Sequence, residues 1–312
     1  MQHSSSGDLP ADAVAQSWVN AAPRTAQPWL RLMRLDRPIG IELLFLPCLF
    51  GLALGALAQR RGFGSLHDLA TLALFALGAV LMRGAGCTYN DIVDRDIDAR
   101  VARTRGRPLP SGAVSLGGAW IFLALQCAAG LAVLLQFNVF SIALGIGSLA
   151  LVALYPFMKR ITWWPQAWLG LTFNWGALLG FSAITGHLAL PALLLYAACF
   201  FWTLGYDTIY AHQDKDDDAL IGVKSTARLL GDNSRAFIAA VYLLTLAFLA
   251  GALILATGLV WTPVLLLPAA LHFLWQVRAL DANDSARCLA IFSANRDAGL
   301  MIAAALLTMG YL

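Results

Sequence analysis

An all-α, polytopic membrane protein is the fold class this sequence predicts, and three observations carry the prediction. Of 312 residues, 59% are hydrophobic and only 12% charged, against about 25% charged in a soluble globular domain. Apolar runs of about 20 residues, enough to cross about 30 Å of hydrocarbon at about 1.5 Å per residue, recur from Ile39 to the C-terminus. Basic residues gather in alternate connections between those runs. Inside lipid every backbone amide needs an internal partner, and runs of this length meet that demand as helices.

In chain order, about nine spans are predicted, at 39–58, 68–90, 114–134, 138–157, 164–184, 189–210, 236–257, 260–278 and 295–311, within one membrane domain over 29–312. Residues 1–28 are rich in Ser, Ala, Gln and Pro and lack the basic start, apolar core and cleavage site of a secretory signal, so a flexible tail is expected there. Cys48, Cys87, Cys127, Cys199 and Cys288 are odd in number and scattered, which indicates neither a disulfide framework nor a metal site. The net charge of +3 is too small to point to nucleic acid.

Orientation follows from the location of the charge. Arg24, Arg31, Arg34 and Arg37 precede the first span; Arg95, Arg100, Arg103, Arg105 and Arg107 follow the second; Lys159 and Arg160, then Lys215, Lys224, Arg228 and Arg235, then Arg278, Arg287 and Arg296 continue the pattern. If the spans alternate, all lie on one side, and the opposite connections hold only Arg60 and Arg61. Positive-inside bias then places the N-terminus and the charged loops in the cytoplasm. The expected location is a cytoplasmic membrane, crossed several times.

An internal repeat marks the chemistry. NDIVDRDIDARVARTRGRPLPSG (Asn90 to Gly112) follows the second span and YDTIYAHQDKDDDALIGVKSTARLLG (Tyr206 to Gly231) follows the sixth, each an acidic helical end leading into a basic loop. Two four-helix repeats facing each other would bring these segments together. Asn90, Asp94 and Asp98 fall at i, i+4 and i+8 with Asp91 adjacent, and Asp96 points elsewhere; Asp207, Tyr210, Asp214 and Asp218 form a second row, with Asp216 and Asp217 turned away. Carboxylates one turn apart repel, so a cation between them is expected. Oxygen donors without nearby His or Cys suit Mg²⁺, which shares its coordination with substrate phosphates. Two such rows rimmed by Arg and Lys fit a diphosphate, whereas solvated loop charge would account for a single row.

LDRPIG (Leu35 to Gly40), LMRGAGCTYNDIVDRDID (Leu81 to Asp98), RPLPSG (Arg107 to Gly112), YPFMKR (Tyr155 to Arg160) and YDTIYAHQDKDDDALIGVKSTA (Tyr206 to Ala227) occur in order along the chain. Together they resemble the UbiA family of intramembrane aromatic prenyltransferases, and most of all its bacterial members that act on 4-hydroxybenzoate in the ubiquinone pathway. The resemblance implies Mg²⁺ ligands at Asn90, Asp91, Asp94, Asp98, Asp214 and Asp218, and it matches the family's Y-x-x-x-K to Tyr155 and Lys159. It also implies a reaction in which a polyprenyl diphosphate ionises and the ring is alkylated ortho to its hydroxyl.

Lys159 and Arg160 can neutralise the departing diphosphate. Arg34, Arg37 and Arg83 are candidates for the acceptor carboxylate, Arg34 and Arg37 having positive-inside anchoring as an equal alternative. Asp36 or Asp207 can position an arginine or the phenol, and Tyr210 shares the second row. Trp163, Trp164, Trp175 and Trp202 are read either as walls of a water-excluding cavity or as interfacial and core residues. The competing functions are transfer to a haem-, naphthoate- or homogentisate-type acceptor and, further off, secondary transport, which would place ionisable residues near the membrane midplane.

Overall fold

The structure is a computed structural model that describes residues 17–312 apart from 101–103, 214, 216–218, 220 and 221. Every regular element among the described residues is helical. In order they are α1 (Gln27–Leu32), α2 (Ile39–Ala58), α3 (Leu66–Asp98), α4 (Leu116–Leu134), α5 (Val139–Ile161), α6 (Pro165–Phe173), α7 (Trp175–Thr185), α8 (Leu190–Ala211), α9 (Thr226–Leu230), α10 (Ser234–Thr257), α11 (Leu267–Ala279), α12 (Ser285–Ser293) and α13 (Asn295–Met309). Among the described residues eight stretches are long and apolar enough to cross a membrane, counting α6 with α7, α9 with α10 and α12 with α13 as single stretches. The expected span at 260–278 corresponds to a 3₁₀ turn, Thr262–Leu266, that runs directly into α11 and lies outside those eight. The protein is thus a multi-pass, all-helical membrane protein, close to the nine spans expected. Within the expected N-terminal tail, Trp18–Ala21 forms a 3₁₀ turn with Val19 buried.

The helices cluster into two compact units, one drawn from Met1–Ile41 and Leu77–Val133, the other from Glu42–Ala76 and Leu134–Leu312. In the first, Leu32, Leu109, Val114 and Ala119 form a buried apolar cluster with Trp29, Ile92 and Phe122 packed against it. That cluster seats the RPLPSG loop. Thr104 Oγ1 donates to the carbonyl of Asp98 at the end of α3, and the Arg107 amide donates to the Thr104 carbonyl.

In the second unit α2 and α7 approach backbone to backbone. Gly51 and Gly55 of α2 lie against Ala177, Phe181 and Ile184 of α7, and Gly176 and Gly180 of α7 lie against Cys48, Gly51 and Leu52 of α2. A methyl on Gly51 would overlap the Ala177 carbonyl, and one on Gly180 would overlap the Cys48 carbonyl. Lipid supplies no hydrophobic drive between helices, so contact of this kind is what holds them. Gly180→Leu should cost about 1–3 kcal/mol or more and lower the thermal midpoint in detergent. Gly147→Leu, on an open face of α5 with nothing within 4 Å, is the matched control and should leave the midpoint in place.

Two polar devices complete this unit. The helix breaks at Asn174, whose Nδ2 donates to the Gly170 carbonyl (2.8 Å) and to Thr203 Oγ1 on α8 (2.7 Å), so the freed carbonyl keeps a partner in the membrane. Asn295 Oδ1 accepts from Trp202 Nε1 (2.9 Å), and Asn295 Nδ2 donates to Gln276 Oε1 (3.1 Å), which also accepts from Tyr242 (2.7 Å). This clasp ties α8, α10, α11 and α13 together. Trp202 is therefore a core residue, packed on Phe50 and Tyr206. Trp163 and Trp164 lie more than a third exposed beside the end of α5, in the manner of interfacial side chains.

The exception to the charge bias has a local cause. Arg61 makes two hydrogen bonds to the buried Asp68 carboxylate (2.6 and 2.8 Å), which also accepts from the amides of Gly64 and Ser65. Ser65 Oγ accepts from the Asp68 amide in return, closing a capping box at the start of α3. Only Arg60 of the pair remains as net charge in this connection.

Candidate functional site

Helix α3 runs for 33 residues, about 50 Å at 1.5 Å per residue and so about 20 Å more than a hydrocarbon core requires. Its last two turns carry the first acidic segment. Asp91 and Asp94 are fully buried and Asp98 nearly so, whereas the Asp96 side chain is 79% exposed and pairs with Arg95 (3.0 Å). The inward row therefore runs through Asp91, Asp94 and Asp98, at i, i+3 and i+7, with Asn90 half-buried at its border. Helical spacing alone had centred the row on Asn90.

Two arginines hold this row. Arg34, just past α1, has a left-handed backbone (φ 60°), a conformation that costs a non-glycine residue about 1–3 kcal/mol. Its Nη1 donates to the Arg31 carbonyl (3.1 Å) and its Nη2 to Asp91 Oδ1 (2.6 Å). Burial pushes the guanidinium pKa down, but the Asp91 carboxylate outweighs it and the net shift is upward. Arg107 Nη1 lies 2.7 Å from Asp98 Oδ2 and 3.4 Å from Asp91 Oδ1, between the two carboxylates. The cation that the acidic row demands is thus, in part, supplied by the RPLPSG loop. Sequence reasoning counted Arg107 toward the orientation of the chain and within the RPLPSG stretch, and gave it no role of its own.

Asp91 Oδ2 is buried and accepts no hydrogen bond, although its residue is fully buried. An orphaned carboxylate oxygen in an all-oxygen donor set fits a hard cation such as Mg²⁺. Among the described residues no three His, Cys, Asp or Glu side chains converge on one point, so any cation here draws further ligands from elsewhere. Asp36 is also buried, with Oδ2 3.6 Å from Arg37 Nε and Oδ1 without a partner. Arg83 packs its guanidinium against Gly40, where a methyl would come within 2.8 Å of Nη2. LDRPIG and LMRG, far apart in sequence, meet in this way.

The second acidic segment begins at the end of α8. Asp207 and Tyr210 are half-buried there, and the Tyr210 ring lies 4.6 Å from that of Phe292. Asp214 and Asp218, with Asp216 and Asp217, lie outside the described residues. Thr208 on α8 is hydrogen-bonded to Thr226 (2.8 Å), whose amide donates to Gln166 Oε1 (3.0 Å). The Lys224 amide donates to the Lys159 carbonyl (3.0 Å), so the YPFMKR end of α5 and the KSTA segment are bound together. Within that end Tyr155 and Lys159 are half-buried, and Arg160 is exposed with its guanidinium over Phe157. His212 was not singled out from sequence. It is buried at the end of α8 with neither ring nitrogen bonded, and burial, reinforced by Lys215, lowers it to about 4, so the ring is neutral.

The chain is similar to known proteins over most of its length. The 4-hydroxybenzoate polyprenyltransferase, mitochondrial, of Bos taurus is 49% identical over 296 residues, 94% of this chain and 78% of the bovine protein. The Homo sapiens protein of the same name is 47% identical over 291 residues, 92% of this chain and 76% of its own length. The apo structure of a UbiA homolog from Aeropyrum pernix K1 superposes with a TM-score of 0.69 at 29% identity, covering 86% of this chain and 97% of the other. A UbiA homolog from Archaeoglobus fulgidus, solved bound to DMAPP and Mg²⁺, shares the fold at a TM-score of 0.61 and 19% identity, over 90% of this chain and 99% of its own. The sequence pattern of the UbiA prenyltransferase family matches residues 44–303. This chain belongs to the UbiA prenyltransferase family.

Proposed function

We propose that the protein transfers a polyprenyl group from polyprenyl diphosphate to the ring carbon ortho to the hydroxyl of 4-hydroxybenzoate, a Mg²⁺-dependent step of ubiquinone biosynthesis. The buried row Asp91, Asp94 and Asp98, with its orphaned oxygen and its arginines, carries this reading in a chain 49% identical to a 4-hydroxybenzoate polyprenyltransferase. Asn90, Asp91, Asp94 and Asp98, with Asp214 and Asp218, would hold Mg²⁺. When bound, the metal neutralises the diphosphate and eases its departure.

The chain's own groups do the rest. Lys159 and Arg160 donate to the diphosphate oxygens as the C–O bond breaks and the electron pair passes to the leaving group. Tyr155 and Tyr210 flank the two ends from which the basic and acidic groups come. Asp207 orients the phenol, whose ring supplies the pair for the new C–C bond and then sheds a proton. Arg34 secures Asp91, and Arg37, Asp36 and Arg83 are assigned to the acceptor end. Membranes containing the protein, given labelled polyprenyl diphosphate and 4-hydroxybenzoate, should yield the 3-prenyl acid, lose that activity in EDTA and regain it with Mg²⁺. Full turnover in chelator, or product only with a naphthoate, homogentisate or haem acceptor, would overturn this assignment.

We also assign the chain to a bacterial inner membrane, with its N-terminal side and charged loops in the cytoplasm. Support comes from the basic residues of alternate connections and from the local neutralisation of Arg61, while the relatives named above are mitochondrial. A reporter fused after Leu312 should be active on the periplasmic side and one inserted near Gly222 on the cytoplasmic side. The reverse pattern would refute the orientation.

A further inference from the structure

Arg107 occupies a position that a metal-binding row would be expected to keep for its cation. Its Nη1 bridges Asp98 Oδ2 (2.7 Å) and Asp91 Oδ1 (3.4 Å), while Arg34 holds Asp91 from the other side at 2.6 Å. The remaining oxygen of Asp91, in a fully buried residue, has no partner. A divalent cation seated on the carboxylate oxygens that Arg107 holds, Asp98 Oδ2 and Asp91 Oδ1, displaces it. The displaced guanidinium is largely buried, with 15% of its side chain exposed, and stripping it from two carboxylates is costly unless another anion receives it.

We infer that Arg107 is a built-in countercharge that makes metal binding at this row conditional on the diphosphate. In the metal-free protein it neutralises Asp91 and Asp98. When a diphosphate arrives, its oxygens offer the guanidinium a bidentate partner of equal or greater charge, and the carboxylates pass to the cation. The consequence is binding synergy: metal alone binds weakly, and metal with diphosphate binds tightly. This rests on the prenyltransferase reading above. It assigns Arg107 two alternating partners, the carboxylates of the row and the diphosphate, and no part in making the new C–C bond.

The test uses the full chain purified in detergent, with binding read by calorimetry and by thermal shift. Three titrations are needed: Mg²⁺ alone, inorganic diphosphate alone, and Mg²⁺ in the presence of saturating inorganic diphosphate. In Arg107→Gln, Mg²⁺ alone should bind about tenfold more tightly than in the unmodified protein, because its competitor is gone, while diphosphate with Mg²⁺ should bind about tenfold or more weakly. The metal-free variant should also melt lower, since Asp98 then loses its cation and Asp91 keeps only Arg34. Arg107→Lys, which keeps the charge and loses the fork, should bind Mg²⁺ alone as the unmodified protein does and diphosphate more weakly. It remains informative if the Gln variant fails to fold. A merely structural Arg107 would weaken both titrations together in the Gln variant, and that result, or unchanged Mg²⁺ affinity in Arg107→Gln, rejects the proposal. Failure of the prenyltransferase reading is distinct: the unmodified protein would then show no diphosphate binding and no turnover.

Discussion

Asp94→Ala and Asp98→Ala should each lower kcat/KM for prenyl transfer by about 10²–10³-fold, the scale on which loss of one preorganised electrostatic group is felt. Both side chains are buried on the inward face of α3. Asp96→Ala should change kcat/KM by less than about fivefold, because that carboxylate is solvent-exposed and its pairing with Arg95 is a surface contact worth about 0–1 kcal/mol. Asp91 differs from the other two. Removing it strands the buried Arg34, and an uncompensated buried charge costs about 3–5 kcal/mol of stability. Asp91→Ala should therefore lose protein from the membrane as well as activity. Pairing it with Arg34→Met should restore part of the protein and none of the turnover. Equal damage from Asp96→Ala would show that the facing of the row is wrong.

Most of the fold was readable from the sequence because lipid leaves the chain few choices. Apolar length gives the spans, and the repeated acidic segments mark where α3 and α8 end. What escaped the sequence depends on partners far along the chain. The break at Asn174 has no Pro or Gly at the position itself, and it is sustained by Thr203, 29 residues away. Whether Asn90 or Asp91 leads the inward row is decided by Arg34, 57 residues before Asp91, since helical spacing allows either. Trp202 reads as a possible cavity wall until its indole N–H is found donating to Asn295, 93 residues on.

The same limit explains Arg107. Five arginines follow the second span, and charge counting treats them alike. The loop singles one out, because Thr104 caps α3 while Leu109 and Val114 anchor in the apolar cluster with Leu32. Those contacts fix the backbone on either side of residue 107, and so bring its guanidinium onto Asp98 and Asp91. The RPLPSG words mark the segment; only the packing assigns the side chain.

Acceptor choice should be strict where prenyl chain length is not. A polyprenyl tail offers only methyl groups and double bonds, and units of it that extend into lipid are not measured by the protein, so short and long diphosphates should differ little in kcat/KM. The acceptor brings a carboxylate, and a buried arginine deprived of that partner loses a charge-assisted bond, which costs about 1.5–3 kcal/mol or more. Phenol should therefore react at least about tenfold to a hundredfold more slowly than 4-hydroxybenzoate. Arg34 is already committed to Asp91 at 2.6 Å, and its removal should disturb the acidic row before it touches acceptor choice. Arg37, beside Asp36, and Arg83, against Gly40, are the residues to compare. The substitution, Arg37→Gln or Arg83→Gln, that lowers kcat/KM for 4-hydroxybenzoate and leaves that for phenol in place identifies the carboxylate's partner. If the unmodified protein used phenol and 4-hydroxybenzoate with comparable kcat/KM, no arginine would be reading the carboxylate, and selection of the acceptor would rest on the phenol and the ring alone.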